Sequence, residues 1–225
     1  MFVLERLISV IAPFNCLSCG QEGSLICSNC ASLVLPLPSR CYICKAVTEN
    51  FQVCKRCRSK SRLNHVWVAT EYSDLAKELL HFYKFERGQS ANRAISSYMS
   101  TTLPLFEKPP LLVPVPTATS RLRMRGYDHT KLLAKAISSQ TGYSYESLVG
   151  RLGQSRQVGA HREERLKQLG LAFYVKHPKH VQGQSIILID DIVTTGGTLE
   201  SVARVLRQAG AKSVNALVFA QKSQF

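Results

Sequence analysis

Two adjacent carboxylates and a loop of threonines and glycines lie close together near the end of the chain. Asp190 and Asp191 come first, and one isoleucine separates them from the loop. The loop consists of Val193, Thr194, Thr195, Gly196, Gly197 and Thr198. Adjacent glycines let backbone N–H groups converge on a phosphate, threonine hydroxyls add donors, and a helix start adds a positive dipole. Because carboxylates accept hydrogen bonds from hydroxyls and bind cations, the pattern predicts a site for a sugar phosphate with vicinal hydroxyls and a divalent metal ion.

Two common phosphate-binding motifs do not fit this loop. A Walker A loop ends in Gly-Lys followed by Ser or Thr, and a dinucleotide-binding loop has the spacing GxGxxG, whereas residues 193–198 have neither. The alternative interpretation is an ordinary strand, turn and helix with a polar turn. The order of four apolar residues, two acids and a Thr/Gly loop favours the sugar-phosphate interpretation.

All eight cysteines fall within residues 16–57, and each belongs to a CxxC pair. The pairs are Cys16/Cys19, Cys27/Cys30, Cys41/Cys44 and Cys54/Cys57. One CxxC turn directs two sulfurs at one ion and two turns complete a tetrahedron, so the spacing predicts two structural Zn²⁺ sites in two short ribbons. We expect the turns to pair sequentially, with a cross-braced arrangement and iron–sulfur ligation as the alternatives.

Basic residues are frequent throughout the chain and cluster around the second predicted zinc site. The chain has 29 basic and 15 acidic side chains, a formal net charge of +14 and a pI near 9.6. The basic residues around the second site are Arg40, Lys45, Lys55, Arg56 and Arg58. They either offset the negative charge of a tetrathiolate zinc or contact the phosphates of nucleic acid. Further candidates for nucleic-acid contacts are Arg121, Arg123, Arg156 and Arg162. Tyr42, Tyr127 and Phe51 are candidates for stacking on bases, with packing as the alternative.

Neither a transmembrane helix nor a secretory signal is predicted. No stretch reaches the required apolar length, and the first residues carry Glu5 and Arg6 and end at Pro13 without a small-residue cleavage site. Residues 3–11 fit a short amphipathic helix packed on the protein itself. We therefore expect a cytoplasmic protein.

A buried strand and a helix have to position the acids and the loop. Residues 186–189 are four consecutive apolar residues, which predicts a strand buried on both faces in a parallel sheet. The apolar spacing of residues 199–209 predicts a helix that ends before Gly210. Asp190 and Asp191 then lie at the carboxyl end of the strand, where open α/β sheets bind their ligands.

A second buried strand is predicted at residues 111–115, and a turn and a basic segment follow it. The residues of interest there are Pro116, Thr117, Arg121, Arg123 and Arg125. A proline at the end of a strand fixes an abrupt turn, and a guanidinium group makes paired charged hydrogen bonds with a diphosphate. A helix is predicted at residues 132–139, and residues 66–72 predict an edge strand that is followed by a covering helix.

These motifs, in this order, resemble the ComF (ComFC-like) family of bacterial competence proteins, in which a Cys-rich module precedes a type I phosphoribosyltransferase domain. The resemblance rests on the VPVP strand end, the RGYDH run and the IDDIVTTGGT segment. It implies phosphoribosyl diphosphate (PRPP) as ligand, with Asp190 and Asp191 on the ribose hydroxyls, residues 193–198 on the 5′-phosphate and Mg²⁺ on the diphosphate. The residues implied on the pyrophosphate side are Pro116, Thr117 and Arg125.

The resemblance includes one departure and implies one flexible segment. The family usually has Asn-Gln after Arg-Gly-Phe/Tyr, where this chain has Asp128 and His129. In the wider enzyme class a flexible hood loop closes over the ligand. Residues 148–169 lie at that place, and Arg156 and Arg162 would face phosphate. The alternative is a solvated helix with Glu/Arg pairs.

We therefore predict an α/β protein with a Rossmann-like type I phosphoribosyltransferase fold, a parallel sheet flanked by helices, and a small double zinc-ribbon domain. The predicted domains are residues 1–60 and 61–225, joined by a linker at residues 59–62. The resemblance implies a protein that handles single-stranded DNA during natural transformation and binds PRPP.

Two alternative functions stay open at this point. The first is an active phosphoribosyltransferase with an unknown acceptor, in which Asp190 and Asp191 orient the ribose and Arg125 stabilises the departing pyrophosphate. The second is an adaptor whose zinc-ribbon module docks a helicase or an inner-membrane DNA channel.

Overall fold

The structure, a computed structural model, describes residues 14–86, 88, 90–152 and 172–222. The helices are α1 (Ser28–Ala31), α2 (Lys55–Arg58), α3 (Asp74–Phe85), α4 (Ala91–Thr102), α5 (Thr119–Arg125), α6 (His129–Thr141), α7 (Pro178–Val181) and α8 (Gly197–Gln208). The strands are β1 (Val66–Glu71), β2 (Leu111–Pro114), β3 (Val149–Arg151), β4 (Phe173–Val175), β5 (Ser185–Val193) and β6 (Ser213–Gln221). The amphipathic helix predicted at residues 3–11 and the phosphate contacts predicted for Arg156 and Arg162 lie outside the described residues.

Four strands form a parallel sheet in the order β1–β6–β5–β2. The apolar run at residues 186–189 is fully buried in β5, next to β6, and β1 is at the edge of this sheet. Side chains of β5 alternate between two apolar clusters. Ile186 and Leu188 pack with residues of α8, whereas Ile187 and Ile189 pack with residues of α3, α4 and α6. The predicted parallel sheet with helices on both faces is thus confirmed.

One local prediction was wrong at its start, and one helix was not predicted. Residues 148–169 were expected to form a polar loop, but Val149–Arg151 is strand β3, which pairs antiparallel with β4. Leu148 and Val149 are buried, and this burial explains why the chain is ordered there. The basic segment after β2, in which no helix was predicted, contains helix α5, which ends at Gly126 in the left-handed conformation (φ 78°).

The cysteine-rich segment packs directly on the sheet. Pro36 forms a β-bridge with Thr70, and Gln52 forms one with His65. The predicted linker at residues 59–62 also packs, because Ser61 is buried and its hydroxyl donates to Glu200 in α8. Residues on both sides of the predicted boundary therefore share a core, and the boundary itself stays a prediction.

Candidate functional site

The acid pair lies at the carboxyl end of β5, which continues through both carboxylates to Val193. Successive residues of a strand point to opposite faces of the sheet, and the two acids differ accordingly. Asp191 is only 4% exposed. Asp190 is half-buried, and its Oδ1 accepts a hydrogen bond from the backbone N–H of Asp191 at 2.9 Å. The two carboxyl groups therefore have different surroundings although they are adjacent in sequence.

Two side chains from other elements bind the buried acid. Lys84, near the end of α3, forms an ion pair with Oδ2 of Asp191, and Nε2 of His129 lies 3.6 Å from the same oxygen. Burial alone would raise the pKa of Asp191, but the nearby ring of His129 and the charge of Lys84 outweigh it and lower that pKa. Asp191 is therefore ionised.

The pKa of the neighbouring acid, Asp190, shifts in the opposite direction. Burial, together with the charge of Asp191, raises the pKa of Asp190 well above its ordinary value. Two carboxyl groups that share one buried site do not ionise together easily. The pKa of Asp190 therefore lies above that of Asp191, and Asp191 loses its proton first.

An arginine orients His129 from the other side. Arg125, the last residue of α5, is buried, and its Nη1 lies 2.8 Å from Nδ1 of His129. A guanidinium group only donates hydrogen bonds, so Nδ1 accepts and the ring proton is assigned to Nε2, which faces Asp191. The Nε of Arg125 has no hydrogen-bond partner within the described part of the chain.

The departure from the family pattern at residues 128 and 129 has a structural explanation. Asp128 caps α6, because its Oδ1 accepts hydrogen bonds from the backbone N–H of Lys131 at 3.2 Å and from the hydroxyl of Thr130 at 2.8 Å. The hydroxyl of Thr117, a predicted ligand residue, also donates to this carboxyl group at 3.0 Å. Pro116, the other predicted residue of this turn, is half-buried.

The Thr/Gly loop connects β5 to the start of α8. Four of its residues have exposed side chains or backbone, namely Thr194, Thr195, Gly197 and Thr198. Gly196 is buried and left-handed (φ 80°), and a Cβ at this position would overlap the ring of Tyr42. Helix α8 has twelve residues, so its N-terminus supplies the dipole that the sequence predicted. The loop is thus accessible on one side and supported by the cysteine-rich segment on the other.

The cysteines form two clusters in the predicted sequential order. One contains Cys16, Cys19, Cys27 and Cys30, and the other contains Cys41, Cys44, Cys54 and Cys57; within each, the four sulfurs lie within 4.8 Å of one another. Tetrahedral zinc with Zn–S bonds of about 2.3 Å places sulfurs about 3.8 Å apart. The measured Sγ–Sγ distances of 3.7 Å for Cys19 and Cys27 and 3.5 Å for Cys44 and Cys54 fit this geometry.

Backbone donors also favour the thiolate form at one residue of each cluster. Hydrogen bonds from backbone N–H groups lower the pKa of Cys16 to about 6 and that of Cys44 to about 7. Zinc binds thiolates, so these donors assist metal binding. The two clusters are consistent with two structural Zn²⁺ sites.

The residues predicted to contact nucleic acid divide into two groups. Exposed side chains belong to Arg40, Lys55, Arg56, Arg121 and Arg123, and Arg58 is also exposed although it makes internal hydrogen bonds. Two residues make internal hydrogen bonds: Lys45 donates to the carbonyl of Tyr42 at 3.1 Å, and Arg58 donates to the carbonyl of Leu63 at 2.7 Å. Tyr42, a candidate for stacking on bases, is buried. The first group is available to an external polyanion.

Three residues of this region were not recognised as functional from the sequence. Lys84 was not singled out, His129 was noted only as a departure from a family motif, and Tyr42 only as a candidate for stacking or packing. His129, Asp190 and Asp191 have possible ligand atoms within 4.8 Å of one another, and of these the two carboxyl groups suit a cation. Carboxylate oxygens are preferred by Mg²⁺, so the donor set is compatible with that ion beside a phosphorylated ligand.

No helix in the described part of the chain is both long and apolar enough to cross a bilayer.

Comparisons with known proteins agree with this architecture. The phosphoribosyl transferase domain family matches residues 132–224. Competence protein ComFC of Bacillus subtilis (strain 168) is 30% identical over 195 residues, which are 82% of this chain and 79% of that protein. DNA utilization protein YhgH of Salmonella typhi is 30% identical over 222 residues, which are 90% of this chain and 94% of that protein.

One solved structure can be superposed on part of this chain. The glutamine phosphoribosylpyrophosphate amidotransferase from B. subtilis, complexed with ADP and GMP, superposes on 57% of this chain and 26% of its own, with 21% identity and a TM-score of 0.40.

Proposed function

We propose, from the premise that the chain belongs to the ComFC family of competence and DNA-utilization proteins, that its phosphoribosyltransferase domain binds PRPP with Mg²⁺ while the protein handles single-stranded DNA. One observation carries the PRPP proposal. An acid pair, an accessible Thr/Gly loop and two cationic side chains lie together at the carboxyl end of β5. Each matches a different part of this ligand.

The positive charges of the site favour binding of the diphosphate end of PRPP. Lys84 and Arg125 bring two positive charges to a buried region where Asp191 is ionised and the raised pKa of Asp190 favours its neutral form. Buried charge is costly unless it is paired, so the region favours a further anion. A diphosphate next to Arg125 would satisfy the free Nε and would accept hydrogen bonds from Lys84.

The remaining groups suit the ribose phosphate. Asp190 and Asp191 accept hydrogen bonds from the 2′ and 3′ hydroxyls, and the backbone of residues 194–198 with the dipole of α8 holds the 5′-phosphate. Asp190 and Asp191 would hold Mg²⁺ through their carboxylate oxygens, and the ion would supply positive charge against the diphosphate.

Calorimetric titration with PRPP and Mg²⁺ tests this site. The Asp190→Asn variant should bind PRPP at least about tenfold more weakly, because an amide cannot ionise when the ribose hydroxyls and Mg²⁺ bind, and a hydrogen bond to a charged group is worth about 1.5–3 kcal/mol. Glu146→Gln is the matched control, since Glu146 follows the bridge of Leu112 to Tyr145 near the amino-terminal end of β2, away from the acids. An Asp190→Asn variant with wild-type affinity would place the site elsewhere.

The DNA proposal is supported by the names of the two relatives and by the surface charge. The net charge is +14, and six of the candidate cations in the described part of the chain are exposed. Fluorescence anisotropy with a single-stranded oligonucleotide should show binding that weakens steeply as salt increases. The double variant Lys55→Gln/Arg56→Gln should reduce the salt slope, whereas Lys179→Gln on α7 should not. No binding at low ionic strength would contradict DNA handling.

A further inference from the structure

Tyr42 connects the second cysteine cluster to the phosphate-binding loop. It lies in the CxxC turn between Cys41 and Cys44, and it is only 3% exposed. Its ring packs on Gly196, where only a residue without Cβ fits. Gly196 also adopts a left-handed conformation, and glycine has a wider range of backbone conformations than other residues. The ring therefore restrains the loop at a residue whose backbone would otherwise have several conformations.

The phenol hydroxyl of Tyr42 binds the helix that follows the loop. It donates to Oε1 of Glu200 at 2.6 Å, and Glu200 lies in the first turn of α8. The same carboxylate accepts hydrogen bonds from the hydroxyl of Ser61 and, at 2.9 Å, from the backbone N–H of Arg62. The first turn of α8 is therefore anchored by three donors from residues 42–62.

This anchoring also affects the electrostatics of the loop. A carboxylate in the first turn stabilises the helix dipole, but it also repels a phosphate at the same N-terminus. The three donors hold the charge of Glu200 on the side of the cysteine-rich segment. The carbonyl of Tyr42 in turn accepts a hydrogen bond at 3.1 Å from the side chain of Gln221, which pairs with Val193 at the start of the loop.

We infer that Tyr42 is a positioning residue that pre-organises the Thr/Gly loop for phosphate, and that the second cysteine cluster therefore controls the affinity of this site. The inference rests on the proposed PRPP function. A loop that is already ordered loses less conformational entropy when it binds its ligand. Any change that releases Tyr42 from Gly196 and Glu200 thus weakens phosphate binding without removing a single ligand contact.

Two substitutions at this position test the inference in the full-length protein. Tyr42→Phe keeps the ring on Gly196 but removes the bond to Glu200, and Tyr42→Leu removes both. We expect PRPP affinity in the presence of Mg²⁺ to fall about fivefold in the first variant and about tenfold or more in the second, within the usual range for coupling between sites. The zinc content of Tyr42→Phe should equal that of the wild type.

Hydrogen–deuterium exchange provides a second readout that needs no ligand. Backbone amides of residues 194–200 should exchange faster in both variants than in the wild type, with the larger change in Tyr42→Leu. Tyr98→Leu is the matched control, because Tyr98 packs on the first cluster and its hydroxyl donates to the carbonyl of Ala31 at 3.3 Å. It should leave both PRPP affinity and exchange at residues 194–200 unchanged.

The outcomes separate the inference from the proposed function. A wild-type protein that binds no PRPP contradicts the proposed function, and exchange alone then decides whether Tyr42 orders the loop. Wild-type affinity and exchange in Tyr42→Phe, with two zinc ions retained, would overturn the role of the hydroxyl. The same result in Tyr42→Leu would overturn the inference as a whole. If Tyr42→Leu does not fold, Tyr42→Phe decides.

Discussion

The two four-cysteine clusters have the same ligands and similar turns, but they pack against different parts of the molecule. The first cluster packs with Val34 and with Leu75, the second residue of α3. Cys41 and Cys57 of the second cluster belong instead to the apolar core that contains β5 and α8. Ligand spacing therefore predicts a metal site, but it does not predict which functional element that site supports.

The largest expected difference between the clusters comes from removing one ligand of each. Cys30 and Cys57 are a matched pair, because both are 7% exposed and both lie in a four-residue helix that follows another ligand. Cys57→Ser and Cys30→Ser should each lose one zinc ion by elemental analysis. PRPP affinity should fall at least about tenfold in Cys57→Ser and stay near the wild-type value in Cys30→Ser, because only the second cluster holds Tyr42 on the loop.

Circular dichroism must show that both variants remain folded at the temperature of the titration. An equal loss of PRPP affinity in both variants would mean that zinc supports the fold as a whole, and the proposed distinction between the clusters would be wrong.

A longer route links the first cluster to the site through α3. Leu75 packs on the first cluster near the start of this helix, and Lys84 pairs with Asp191 near its end. Lys84→Met should lower the free energy of unfolding by about 3–5 kcal/mol, because it leaves a buried carboxylate without its cation. Thermal denaturation measures this effect, and Lys77→Met, on the exposed face of the same helix, is the control.

A double variant distinguishes loss of charge pairing from loss of packing at Lys84. Lys84→Met/Asp191→Asn should recover part of the stability, since removing both charges leaves no unpaired buried ion. If the double variant is as unstable as the sum of the two single variants, the ion pair does not account for the effect of Lys84.

Local patterns explain what the sequence could predict. Four apolar residues in succession were sufficient for β5, helical spacing for α8, and CxxC spacing for both metal clusters. Each of these signals involves residues within about one turn or one strand of each other. The positions of the acid pair and of the loop at a parallel sheet edge followed from the same patterns.

The contacts that complete the site could not be predicted in this way, because they join distant parts of the chain. Tyr42 and Glu200 are 158 positions apart, and no periodicity connects them. Lys84 belongs to an amphipathic helix in which a lysine near the end is ordinary. His129 was noticed in a motif, but its role depends on Arg125 and Asp191, which approach it only in the folded protein.

The contact between Tyr42 and Gly196 gives a third prediction, of intermediate size. Gly196→Ala adds a Cβ that overlaps the Tyr42 ring at a left-handed position, so it should lower the free energy of unfolding by about 1–3 kcal/mol. Gly197→Ala is the matched control, because its nearest neighbour would be the hydroxyl of Thr195 at 3.6 Å, an ordinary contact. Thermal denaturation should show a lower midpoint for Gly196→Ala alone; equal midpoints would mean that the ring does not fix the loop.

The smallest expected effect concerns the turns of the two clusters themselves. The residue after the second cysteine is left-handed in both, but it is Gly20 (φ 76°) in the first cluster and Lys45 (φ 62°) in the second. Gly20→Ala should cost about 1 kcal/mol of stability from backbone strain alone, because a Cβ there meets no other atom.

Lys45→Gly relieves such strain but removes the hydrogen bond from Lys45 to the carbonyl of Tyr42, so the two terms should nearly cancel in stability. PRPP affinity should then fall slightly in Lys45→Gly and not at all in Gly20→Ala, as measured by calorimetry. A measurable loss in Gly20→Ala would show that strain in the first cluster also reaches the loop.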